Sequence, residues 1–265
     1  MKKTLSLVIC LLLLAISSCG KKNDDKTIRV GASTSPHAEI LKECKSYIES
    51  KGYKLEIVEF SDYILPNVGV AENSLDANYF QHQPYMENYN KKNKTSLKAV
   101  LKVHFEPLGL YAGKKSKLED IEVGSTIGIP NDDTNCARAL YLLRDLGLIS
   151  VDESKGFEIT SKDITSNPKK LQIVELEAAQ LPTQLPSFDY AVINGNYALE
   201  SNITSKLLRS EDSNGIGATT YANILCVNEG NENSEKTKIL IEALSQSSIK
   251  DFINNKYKGV VVPLI

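Results

Sequence analysis

The chain predicts an α/β fold, with open parallel or mixed sheets covered by helices on both faces and enough residues for two lobes around a ligand cleft. Short β-like runs alternate with helical periodicity along the body of the chain, which is the pattern of strands joined by packed helices. Some 240 of the 265 residues follow an N-terminal polar segment, sufficient for one large domain or two smaller lobes. No internal repeat or low-complexity segment interrupts them, which excludes a solenoid or a fibrous protein.

The N-terminus is not part of that fold. Lys2 and Lys3 precede an apolar run from Leu5 to Ile16 that stops at Ser17-Ser18-Cys19-Gly20. A run of about a dozen residues is too short to cross roughly 30 Å of hydrocarbon and reads as the h-region of an export signal. Small residues directly before Cys19 suit a lipoprotein signal peptidase. Residues 1–18 are therefore expected to be removed, and Cys19 to become an acylated N-terminus on the outer side of a bacterial membrane. Residues 19–26 carry no apolar side chain beyond Cys19 and read as a flexible tether.

The body then resolves into elements. Thr27 to Ala32 is a strand candidate, and Ser35-Pro36 offers an N-cap followed by proline at the first helical position. Ile40, Leu41, Cys44, Tyr47 and Ile48 recur at helical spacing up to Gly52. Lys54 to Phe60 reads as a strand, Pro84 to Lys92 as a helix, and Leu97 to His104 and Leu108 to Tyr111 as two strands. Ser125 to Pro130 is a strand leading into a helix from Thr134 to Leu146, closed by Gly147. Leu171 to Leu176, Tyr190 to Asn194 and Asn223 to Val227 follow as strands. Ser234 to Ser245 and Ile249 to Tyr257 are the last helices.

Composition narrows the function. A formal charge of −2 and no Lys/Arg cluster interleaved with aromatics argue against nucleic acid as a partner. Cys44, Cys136 and Cys226 remain once Cys10 and Cys19 are set aside, an odd number at wide spacings that fits neither a disulfide framework nor a metal-ligand pattern. Cys44 and Cys226 read as small apolar core residues. His37, His82 and His104 are isolated in sequence, so no metal site is expected. No nucleophile elbow, P-loop or dinucleotide fingerprint occurs, and no cofactor is called for.

In open α/β sheets ligands bind beyond the carboxyl ends of strands, and the polar and aromatic residues cluster there. Tyr63 follows the second strand. Phe80, His82 and Tyr85 lie in a dense stretch opening a helix, and Asn135 and Arg138 lie at the start of the helix after Pro130. Asn194 ends one strand and Asn223 opens another. A guanidinium near a helix N-terminus suits a carboxylate, amide oxygens suit an ammonium, and aromatic faces suit an apolar side chain. Each has a plainer reading: a solvated charge for Arg138, turn residues for the asparagines, packing for the aromatics, and cap and dipole partners for Asp132-Asp133. Residues alone favour binding of a small zwitterion over catalysis.

Several stretches, in order, resemble the methionine-binding lipoproteins of ABC importers, the NlpA family. They are Asp62-Tyr63-Ile64-Leu65-Pro66-Asn67, Leu75 to His82 with Pro84-Tyr85, Ile129-Pro130-Asn131-Asp132, Thr134-Asn135 with Arg138-Ala139-Leu140, Ile193 to Ala198, and Tyr257-Lys258-Gly259. The resemblance covers nearly the whole mature chain. It implies a two-lobed periplasmic-binding-protein-like fold with the ligand cleft between the lobes, residues 27–111 and 224–265 forming one lobe and 112–223 the other. It implies that Arg138 pairs with the ligand carboxylate, that Asn135, Asn194 and Asn223 bond its polar backbone atoms, and that Tyr63, Phe80, His82 and Tyr85 line the side-chain pocket. The implied partners are L-methionine or a close analogue, the permease and ATPase subunits of an ABC importer, and the membrane through the lipid anchor. D-methionine, a methionine-containing dipeptide, and a surface lipoprotein serving adhesion or signalling stand as alternatives. An esterase or peptidase built on His82 ranks below them. Asp133, Cys136 and Ala137 depart from the family pattern, which has proline and small glycines there, and Cys136 is expected to narrow the carboxylate end.

Overall fold

The structure, a computed structural model, describes residues 26–265; the export signal, Cys19 and the tether up to Asp25 lie outside the described residues. The chain begins with β1 (Thr27–Ser33), α1 (Glu39–Glu43), α2 (Lys45–Ser50), β2 (Lys54–Phe60), α3 (Leu65–Ala71), β3 (Ala77–His82), α4 (Gln83–Asn93) and β4 (Leu97–Phe105). It crosses over and forms β5 (Gly109–Ala112), β6 (Thr126–Pro130), α5 (Asp133–Asp145), the short β7 (Ser150–Val151) and β8 (Ile164–Ser166), β9 (Gln172–Leu176), α6 (Leu181–Gln184), β10 (Tyr190–Ile193), α7 (Gly195–Glu200) and β11 (Leu207–Ser210). A second crossover through α8 (Ile216–Thr220) leads back to β12 (Asn223–Asn228), α9 (Glu235–Leu244), α10 (Ser247–Tyr257) and β13 (Val262–Pro263).

Two sheets result, one per lobe. The first has the order β13-β4-β12-β3-β1-β2 and the second β11-β5-β10-β6-β9. In the first, β1 runs parallel to β2 and β3, while β12 inserts antiparallel between β3 and β4. In the second, β10, β6 and β9 are parallel and β5 runs antiparallel to β10 and β11. Gly109–Ala112 therefore belongs to the second sheet, not to the first lobe as a boundary at 111 has it, because the chain leaves the first sheet after Phe105. Asn223, placed by that boundary in the second lobe, already pairs in the first sheet with His82 and His104.

Helices bury both faces of the first sheet, and β12 shows how. Leu225 and Val227 pack with Ile40, Cys44, Ile48, Leu240 and Ile253, while the alternating Ile224 and Cys226 pack with Val70, Met86 and Leu97. The two-residue strand period thus feeds two separate cores. The second lobe builds its own around Ile127, Ile129, Leu140, Leu143, Tyr190 and Val192.

Two local structures differ from the sequence reading. Ser35 is extended, at φ −131° and ψ 138°, the Ser35–Pro36 peptide is cis, and the regular helix starts only at Glu39. An extended residue before proline is compatible with an N-cap, but the regular helix begins four residues later with Ala38 before its first residue, so Ser35 does not cap it. The stretch Ala77–His82 is a strand buried along its whole length, not the entry to a helix. Its polar Asn78 and Gln81 carry no alternating pattern, since both point into a buried amide network with Asn67 of α3. Asn67 Nδ2 donates to Gln81 Oε1 at 2.8 Å, and its Oδ1 accepts from Asn78 at 2.8 Å and Gln81 at 2.6 Å. That network ties α3 to β3 and so fixes the segment that carries Tyr63.

Candidate functional site

The cavity between the lobes lies where the strands end and the two crossovers meet. Tyr63, Phe80, His82, Tyr85, Asn135, Arg138, Asn194 and Asn223 all line one cavity of about 340 Å3, counting the open space at its mouth. Gln81, Glu106, Gly195 and Asn196 complete the wall, and sequence reasoning did not single these out. Asn196 sits inside the Ile193 to Ala198 stretch that carries part of the resemblance. The signal for Glu106 was a lone acid between two strand-like runs, at the crossover point itself.

Asp132 caps α5, accepting from Asn135 N at 3.0 Å, and its carboxylate also receives Asn135 Nδ2 at 3.1 and 3.0 Å. Asn135 Oδ1 consequently faces the cleft, where it accepts from Asn194 Nδ2 at 3.0 Å and meets His82 Nε2 at 3.2 Å. His82 in turn caps α4, its Nδ1 accepting from Tyr85 N at 3.2 Å, which places the ring proton on Nε2. Burial, then the nearby Arg138 charge, push the His82 pKa down to about 3, so the ring is neutral.

Arg138 is 4 % exposed and joins the two crossovers. Its Nε donates to Glu211 Oε1 at 2.7 Å, Nη2 pairs with Glu211 Oε2, and Nη2 also donates to the Glu106 carbonyl at 2.8 Å. The guanidinium lies 4.4 Å from the centre of the Tyr221 ring. Among the described residues, Nη1 meets no acceptor.

Aromatic rings form the opposite end. Tyr63 stacks on Tyr197 at 4.8 Å and meets Phe80 at 5.7 Å and Tyr85 at 5.8 Å. The Tyr63 hydroxyl crosses the cleft to donate to Asn196 Oδ1 at 2.5 Å. Two polar atoms here are buried without a partner: Asn194 Oδ1, an acceptor, and Asn196 Nδ2, a donor.

One sequence expectation is corrected, and one pair of residues separate in sequence is brought together. Cys136 does not reach this cavity; its side chain packs in the second-lobe core and borders a groove on the outside. On α5 it projects away from the face that carries Asn135 and Arg138. His37 and His104, separate in sequence, stand with ring centres 5.0 Å apart beside Glu106. All four of their ring nitrogens are engaged by Ser33, Asn223, Tyr79 and Glu106.

Closure is direct at the rim as well. Lys92 pairs with Asp133 at 2.7 Å, Lys91 with Glu158 at 3.0 Å, and Asn88 donates to Asp133 at 3.1 Å, each linking α4 to the second lobe.

Two α/β lobes joined by two crossovers, with a buried polar and aromatic cavity between the strand ends, define the class of two-lobed substrate-binding proteins. Comparison narrows the class. The sequence profile described as NlpA lipoprotein matches residues 28–265. A methionine-binding lipoprotein, MetQ, of Bacillus subtilis is 38% identical over 99% of this chain and 99% of its own. A lipoprotein structure from Ruminococcus gnavus superposes with a TM-score of 0.89 at 45% identity, covering 91% of this chain and 100% of that one. A nutrient-binding protein from Burkholderia cenocepacia, solved bound to methionine, superposes with a TM-score of 0.84 at 35% identity, covering 90% and 100%. The chain belongs to the NlpA lipoprotein family.

Proposed function

We propose that this protein captures methionine outside the cytoplasmic membrane and delivers it to an ABC importer, held at the membrane by an acylated Cys19. The observation that carries the reading is the pair of unpartnered amide atoms, Asn194 Oδ1 and Asn196 Nδ2, in the cavity that also holds the Arg138 guanidinium and the Tyr63, Phe80 and Tyr85 rings. A buried polar atom without a partner costs about 1–3 kcal/mol, and an amino acid supplies both missing groups. Its carboxylate accepts from Asn196 Nδ2 and from Arg138 Nη1, and its ammonium donates to Asn194 Oδ1. A thioether suits the ring-lined end, where sulfur beside aromatic edges gains about 0.3–1.5 kcal/mol and needs no strong donor.

Catalysis fits the site poorly. The hydroxyls bonded to histidine, Ser33 Oγ at 2.6 Å from His37 Nδ1 and the Tyr79 hydroxyl on His104 Nδ1, do not line the cavity. His82 presents a protonated Nε2 that is engaged with Asn135, so it offers no free base there. Two of the three relatives named above carry binding names, in keeping with this reading.

The test is calorimetric titration of the body from residue 21 onward, unfolded and refolded to strip carried-over ligand, with L-methionine, D-methionine, glycyl-methionine and leucine. Sub-micromolar binding selective for L-methionine is expected. Heat from none of the four overturns the methionine assignment, and a preference for D-methionine or the dipeptide moves the ligand to that analogue.

A further inference from the structure

Between β7 and β8 the chain forms a short helical segment, Glu153–Glu158, rooted in the second lobe at both ends. Arg144 of α5 pairs with Glu153 at 2.9 Å, and the Tyr141 hydroxyl of α5 donates to the Gly156 carbonyl at 2.8 Å. Beyond the segment, Ile159 is buried in the second-lobe core. Gly156 stands at φ 54° and ψ −126°, a positive φ that glycine adopts without a side-chain clash, and it breaks the segment just before Phe157 and Glu158.

Those two residues reach the first lobe. The Phe157 ring meets the Tyr221 ring edge-on, with centres 5.8 Å apart, and Glu158 pairs with Lys91 of α4 at 3.0 Å. Tyr221 packs with the first lobe, its ring clustering with Phe105 of β4, Ala218 and Val262 of β13. The same ring backs the cavity wall, 5.3 Å from the His82 ring and 4.4 Å from the Arg138 guanidinium. Phe157 is 42 % exposed, the one phenylalanine left exposed, so its packing lies at the seam between the lobes and not in a core. Neither Phe157 nor Glu158 lines the cavity, and both of these contacts part when the lobes separate.

We propose that Glu153–Glu158 is a strap that holds the lobes together over a bound ligand, with Phe157 and Glu158 as positioning residues that set how slowly the ligand leaves. For the identity of that ligand it rests on the amino-acid reading given above. Phe157 acts through Tyr221, and Glu158 through α4, on the side of the cleft where Lys92 and Asn88 already meet Asp133. A ligand enters while the lobes are apart and the strap contacts are unmade, so these contacts slow dissociation and leave association unchanged.

The experiment loads the protein with radiolabelled L-methionine, chases it with unlabelled L-methionine, and reads dissociation by rapid filtration. Dividing that rate by the calorimetric Kd gives the association rate. Phe157→Ala is expected to raise dissociation about 3- to 10-fold, the range of one aromatic pair, with association within about 1.5-fold of wild type. Lys91→Glu is expected to raise dissociation about 2- to 5-fold by setting two like charges at the rim. Adding Glu158→Lys to Lys91→Glu re-forms the pair with its charges exchanged and is expected to bring dissociation back within about 1.5-fold of wild type. Wild-type dissociation in Phe157→Ala overturns the strap and leaves the methionine reading intact. So does a weaker affinity that comes from slower association, or an exchanged pair that releases ligand as fast as Lys91→Glu. Failure of wild type to bind L-methionine at all overturns the amino-acid reading, and this proposal with it.

Discussion

Arg138→Ala tests whether one side chain holds the two crossovers together. The substitution removes two charge-assisted bonds to Glu211, one bond to the Glu106 carbonyl, and the guanidinium's contact with the Tyr221 ring. Breaking a fully buried pair by deleting one partner costs about 3–5 kcal/mol. Glu211 is not fully buried, its side chain being 16% exposed, and it keeps the Leu108 N–H at 2.9 Å, so part of its solvation is recovered. The expected loss is about 2–4 kcal/mol, which for a chain of this size lowers Tm by roughly 6–12 °C. Glu211→Gln is expected to cost less, about 1–2 kcal/mol, since Arg138 retains the Glu106 carbonyl and the Tyr221 ring. The double variant should fall short of the sum by about 1 kcal/mol or more, as groups in direct contact do. Urea and thermal unfolding of the four proteins measure all three quantities. An Arg138→Ala protein within about 0.5 kcal/mol of wild type, or strict additivity, would refute the staple.

Asn67→Ala is expected to destabilise by about 2–4 kcal/mol, because it removes three buried amide bonds and orphans Gln81 Oε1, and urea unfolding measures it. A loss under about 1 kcal/mol would show that water or neighbouring groups replace the network. Glu200 accepts from Ser35 N across the lobes, and burial raises its pKa from 4.5 to about 7. Between those values the folded state holds the proton that the unfolded state has released, so this group erodes stability as pH rises from about 4.5 to 7. Glu200→Gln should flatten that part of the Tm-against-pH curve relative to wild type, and an unchanged difference between the two proteins from pH 5 to pH 8 would contradict the assignment.

The elements legible in the sequence were those whose pattern followed from one physical rule. β1 and β2 read as strands and α5 as a helix with a polar cap, and the structure has Asp132 as that cap. β3 was not legible, because a strand buried on both faces has no polar and apolar sides to alternate, and its Asn78 and Gln81 satisfy each other through Asn67, which lies more than ten residues earlier. The start of α1 was misread because Ser35-Pro36 matched a helix-entry pattern that tertiary contacts override. Of the cavity, the residues at strand ends were legible as chemistry and the resemblance assembled them. Glu106 and the His37–His104 pair were not, because their meaning arises only where the first crossover passes behind β1 and β4. Cys136 was misjudged by its distance along the chain from Arg138, although a helix turns neighbours two residues apart to different faces.

The central claim is that the cavity holds methionine by its two charged ends, with the thioether among the rings. The most direct test is a crystal structure of the protein grown with L-methionine. The account predicts the carboxylate within about 3.2 Å of Arg138 and Asn196 Nδ2, the ammonium at Asn194 Oδ1, and the sulfur between Tyr63, Phe80 and Tyr85. A reversed pose, with the charged ends among the rings, or a ligand bound outside the cavity would contradict it.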